Sequence, residues 1–125
     1  MKLTRDEAIN EFRRMWAWIA LETYGCKQKA EKRDYMELFG FEDISNNCFL
    51  CEYDWQTREG GDVECKHCPI EFVSELGVKT RCGINSTAYA NWCATPWYDW
   101  EKAAKYAWEI ANLEEKIVRK YTEED

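Results

Sequence analysis

Two C-x-x-C pairs, Cys48-Phe-Leu-Cys51 and Cys65-Lys-His-Cys68, are separated by thirteen residues. This spacing constrains the chain more than any other feature. Two residues between cysteines let one tight turn present both sulfurs to the same ion, and two such turns complete the tetrahedron of four ligands that zinc prefers. The pattern predicts one structural Zn²⁺ held by Cys48, Cys51, Cys65 and Cys68, with Gly60-Gly61 turning the segment between the pairs. His67 and Cys82 are the alternative ligands if one of the four is not used. A buried cluster of free thiols would explain burial but not the paired spacing. A thioredoxin-like dithiol would need a strand before and a helix after the pair, inside a βαβ pattern, and no such pattern is legible. A closed Cys₄ site of this kind is more often zinc than iron–sulfur. A catalytic zinc needs an open position and His or carboxylate ligands, and the chain holds one His. Cys26, Cys82 and Cys93 are otherwise read as packed thiols.

The remaining sequence supplies helices to carry this staple. Thr4 and Glu7 have capping-box spacing, and Ala8, Ile9, Phe12, Met15, Trp16 and Ile19 recur at helical intervals, which predicts a helix over 4–23 stopped by Gly25. A second helix is expected over 27–39, ended by Gly40. Residues 44–95 are rich in Cys, Gly, Asn and Asp without clear period, and 44–82 read as the metal-stapled module. Thr95 as cap and Pro96 at the first helical position, followed by Trp97, Trp100, Ala103, Ala107, Ile110, Leu113 and Ile117, predict a last helix over 96–121. The expected architecture is mainly α in one domain, 1–125: terminal helices packed together, with a small irregular or β zinc-knuckle module between them. Phe12, Trp16 and Ile19 are expected to face Trp100, Ile110 and Ile117.

Net charge is −7, and four thiolates with one Zn²⁺ would bring it to about −9. Residues 41–80 carry three Lys/Arg against nine Asp/Glu, so the cysteine-rich middle is the acidic part. Such a chain gains no long-range attraction to nucleic acid or anionic lipid. Lys27, Lys29, Lys32 and Arg33 form the one local basic cluster. The start MKLTRDEAINEFRR lacks the apolar stretch of a signal peptide, and no run approaches the ~20 apolar residues of a membrane span. A cytoplasmic location follows as the expectation, and seven cysteines in a reducing compartment favour metal over disulfides.

The runs NCFLCEY at 47–53 and CKHCPIEF at 65–72, the later Cys82, and TPWYDW at 95–100 resemble a group of small cysteine-rich proteins encoded by phages and prophages of Gram-positive bacteria. The resemblance implies an accessory protein acting in a bacterial host cytoplasm. It transfers no activity and no catalytic residue.

The expected function is non-enzymatic: a zinc-stabilised accessory protein that binds a host protein and inhibits a host process, such as a nuclease-based antiviral defence. Trp and Tyr beyond core needs suit interface anchoring. Carboxylates suit a partner that normally holds nucleic acid. Glu52, Asp54, Glu59, Asp62 and Glu64, between the two cysteine pairs, are the expected contact residues on a solvent-facing loop, with Trp92, Trp97 and Tyr98 as the aromatic flank. The alternative is a zinc-containing nucleic-acid-binding regulator, for which aromatic stacking argues and the charge argues against. No general acid/base set, phosphate-cradling loop or nucleophile–His pair is legible.

Overall fold

Thr4 opens the first helix as its spacing with Glu7 predicts. Its hydroxyl accepts from the Glu7 N–H at 3.1 Å, and the Glu7 carboxylate accepts from the Thr4 N–H at 2.9 Å. The computed structural model describes residues 2–41, 48–57, 68–74, 77, 79–80, 82, 84 and 86–116. Among them the chain is mainly helical: α1 Arg5–Cys26, α2 Lys32–Leu38, α3 Phe49–Thr57, α4 Ala88–Ala94 and α5 Trp100–Ala111. β1 Phe72–Val73 and β2 Lys79–Thr80 form an antiparallel pair with Phe72 opposite Thr80.

At 22 residues α1 spans about 33 Å; α2, α3 and α5 pack on it, and α4 packs on α5. Ala8, Ile9, Phe12, Met15, Trp16, Ile19 and Ala20 are buried along one face of α1. α5 runs antiparallel beside it, tied by the Arg13 guanidinium donating to the Leu113 carbonyl at one end and by Tyr24 against Trp100 at the other. Ala103, Ala107 and Ile110 of α5 are fully buried, as the apolar period predicts. Trp16, however, meets α4 edge-on, 4.8 Å from Trp92 and 5.9 Å from Tyr89. Phe12 meets Phe72. Burial of each such side chain stabilises the fold by about 1.5–3 kcal/mol.

Several expectations are corrected. The first helix runs past Gly25 to Cys26, and the left-handed stop is Lys27, at φ 56°. The second helix begins at Lys32, because 28–31 form a connection held to Thr23, whose hydroxyl accepts from the Ala30 N–H. Gly40, at φ 81°, does end it, with the Phe41 N–H returning to the Met36 carbonyl, the bond expected of a glycine-terminated helix. The span expected to be irregular contains α3 and α4. Thr95 caps the end of α4 rather than the start of the last helix: its hydroxyl donates to the Asn91 carbonyl at 2.7 Å. Residues 96–99 then form a turn, and α5 starts at Trp100. α5 ends at Ala111 because the chain turns into an extended segment, where Lys116 N–H donates to Pro69 O and Glu71 N–H to Glu114 O. The expected contribution of Ile117 lies outside the described residues.

Candidate metal centre

Cys48 is the residue on which α3 is built. Its carbonyl accepts the first helical bond, from the Glu52 N–H at 3.0 Å, which makes it the N-cap. The thiol of Cys51, one turn on, hydrogen-bonds to the Cys48 sulfur and is the largest influence on it. Burial opposes ionisation, while the N–H groups of Cys51 and Leu50 and the ammonium of Lys32 favour it, and the balance lowers the Cys48 thiol from 9.0 to about 6. Free helix-opening N–H groups are natural partners for a thiolate. The structure therefore brings the sulfurs of Cys48 and Cys51 together at the opening of α3.

Cys68 is placed by a different element. It precedes Pro69 and Ile70, which pair with the segment after α5, and its sulfur lies 3.9 Å from the Ile70 carbonyl. Cys82 is half-buried, and its carbonyl accepts from the Thr87 hydroxyl at 2.6 Å. Cys48, Cys68 and Cys82 all pack against the same hydrophobic core. Among the described residues, no three of His, Cys, Asp and Glu converge where one metal ion could be held. Cys65 and His67 lie outside the described residues. Cys26 and Cys93 are exposed rather than packed, because each sits at the solvent side of a helix end.

The acidic contact residues are redistributed. Glu52 and Asp54 are 5 % and 2 % exposed, inside α3, so they are not part of a solvent-facing loop. α3 lies on α1, with Phe49 and Leu50 in the core. Glu52 and Asp54 each hold an interaction there. Glu59, Asp62 and Glu64 lie outside the described residues. Trp92 is buried, whereas Trp97, Tyr98 and Trp55 are exposed.

Half of the basic cluster is engaged inside the fold, while Lys27 and Arg33 are exposed. Lys29 donates to the carbonyls of Trp92 and Thr95. Lys32 donates to the Tyr89 hydroxyl at 2.7 Å and lies 4.9 Å from that ring. Neither role has a local sequence signal, since both partners are more than fifty residues away.

One surface that the sequence reading missed combines acid with exposed apolar side chains. Glu11, Trp18 and Glu22 share a face of α1 by their spacing. Trp18 touches Phe39 at the end of α2. Leu38 and Phe39 are 65 % and 50 % exposed, and Glu37 beside them is exposed. The α2 end carries two consecutive large apolar residues just before Gly40, and that was the available signal.

No protein-family model, curated protein or solved structure matches this chain. Among the described residues no helix is long and apolar enough to cross a membrane.

Proposed function

We propose that this chain is a non-catalytic, zinc-stabilised binding protein that docks a host protein through the α1/α2 face. The observation that carries the reading is the exposed pair Leu38 and Phe39, backed by the half-buried Trp18 and set among Glu11, Glu22 and Glu37. Aromatic anchors with a charged rim are the composition of binding surfaces. The carboxylates would speed encounter with a basic groove on the partner. Arg14 partly offsets them, pairing with Glu11 at 3.3 Å. The resemblance to phage accessory proteins suggests a bacterial partner, and inhibition of a host process is our proposal for the outcome. Engagement of Lys29 and Lys32 within the fold weighs against the nucleic-acid reading, which needs free clustered cations.

Zinc belongs to the same proposal. The paired sulfurs of Cys48 and Cys51 suit one half of a tetrahedral site, and Cys65 and Cys68 would supply the other. The metal would tie α3 to the Cys68 segment and so stabilise the fold that carries the docking face.

The test is affinity capture from a bacterial lysate with wild type and with Phe39→Ser/Glu22→Lys/Glu37→Lys. A host protein retained by wild type, lost with the variant and released by salt is the expected result. Capture of the same protein by both would place the contact elsewhere, and retention of nucleic acid alone would favour the alternative.

A further inference from the structure

A second apolar surface lies between α1 and α5, away from the α1/α2 face. Ala20 and Ala104 form its floor, Leu21, Tyr24 and Trp108 its walls. Leu21, Tyr24 and Trp108 are 69 %, 64 % and 53 % exposed. Side chains of this size left open along one groove mark an interaction site rather than ordinary surface. Trp97 and Tyr98, both exposed, lie in the turn just before α5.

Charge selects the occupant. The groove is lined by two charged residues, Glu101 and Lys105, of opposite sign and one helical turn apart on the α5 lip. A basic partner helix would meet Lys105 with like charge, and an acidic one would meet Glu101 in the same way. A surface bearing both signs in reverse order satisfies both, and a second copy related by a two-fold axis has that arrangement by construction. We propose that this groove joins two copies of the chain, α5 crossing α5 antiparallel so that Glu101 of each faces Lys105 of the other. The axis then passes near Ala104, whose small side chain at the groove floor allows close approach. Trp108 of each copy lies toward the Trp97–Tyr98 corner of the other, so large rings flank a narrow centre. The contact would join two chains of net charge −7, and a locally balanced surface is the kind that tolerates this.

The experiment is sedimentation of the full chain across a concentration series, with Glu101→Lys and Lys105→Glu made separately. Wild type is expected to dimerise. Each single variant sets like charges against each other twice and is expected to weaken self-association about tenfold or more. Mixed in equal amounts, the two variants restore both ion pairs in a heterodimer and recover wild-type association. Helical circular dichroism shows that each variant is folded, as expected for exposed positions. A wild type that stays monomeric at about 100 μM, well above the affinity range of specific interfaces, overturns the proposal. So does equal association of the single variants, or a mixture that fails to recover. Trp108→Ser should be monomeric, and a dimeric W108S would assign the contact to another surface.

Discussion

The Lys29 ammonium lies 4.2 Å from the centre of the Trp92 ring and donates to the carbonyls of Trp92 and Thr95, each at 2.9 Å. One side chain from the α1–α2 connection thereby closes the C-terminal end of α4 and holds the ring on which Trp16 packs. Positive charge at a helix C-terminus is favourable, and hydrogen bonds to a charged donor contribute more than neutral ones. Lys29→Met keeps the stem and removes the ammonium. It should lower stability by about 2–3 kcal/mol, measured by urea unfolding. A loss within the scatter of ordinary surface substitutions would show that water replaces the ammonium without cost.

That contact also shows what the sequence could and could not disclose. α1 was legible because its capping box and apolar period are local. The buried face of α5 was legible for the same reason, though its start was not. Thr95-Pro96 has the composition of a helix opening, but Thr95 is consumed by the end of α4, and α4 itself is seven residues long. α3 escaped because Glu52 and Asp54 gave it the polarity of a loop, although both are buried in the fold. The cysteine spacing pointed to paired sulfurs, and Cys48 with Cys51 is such a pair. The exposed aromatic surfaces are sums over distant helices, so no window of sequence contains them.

Trp16 and Ile110 are buried from opposite sides of the same core, at 1 % and 0 % exposure. Replacing either with Ala removes tightly packed atoms that the surrounding helices can refill only partly. A loss of about 2–5 kcal/mol is expected for each. Near-wild-type denaturant midpoints would mean that the core repacks around the cavity. Trp55→Ala, at a position 61 % exposed, is the control and should remain within ~0.5 kcal/mol.

Tyr35 provides a pH dependence whose sign is fixed. Burial, with the Glu11 charge and hydrogen bond at 3.1 Å, raises its hydroxyl to about 12 from an ordinary value of 10.0. The folded state thus holds this proton more tightly than the unfolded chain does. The resulting stabilisation is fully present below pH 10.0 and is lost as pH rises toward about 12. Tyr35→Phe cannot ionise there, so the difference in stability between wild type and variant should narrow across that interval. A difference that stays constant from pH 9 to about 12 would show that Tyr35 ionises alike in both states.

The metal proposal makes the most demanding prediction. Protein purified without added metal should carry about one zinc per chain, measured by elemental analysis. Cys48→Ser, Cys51→Ser, Cys65→Ser and Cys68→Ser should each release it, whereas Cys26→Ser and Cys93→Ser, at exposed helix ends, should not. Cys82→Ser separates the alternatives: loss of metal there, with retention in Cys65→Ser, would exchange those two ligands. Chelation should expose the amides of 48–57 and 68–74 to hydrogen exchange before those of α1 and α5, because metal binding and local folding are coupled. α1 and α5 have their own shared core and should remain protected. In the metal-free protein the Cys51 hydrogen bond holds the Cys48 thiol below its ordinary value, so its alkylation should persist to lower pH than that of an ordinary thiol. Folded protein without zinc, carrying iron instead, or showing no difference between Cys48→Ser and Cys93→Ser would remove the Cys₄ zinc site from the account and leave Cys48 and Cys51 as a dithiol at the opening of α3.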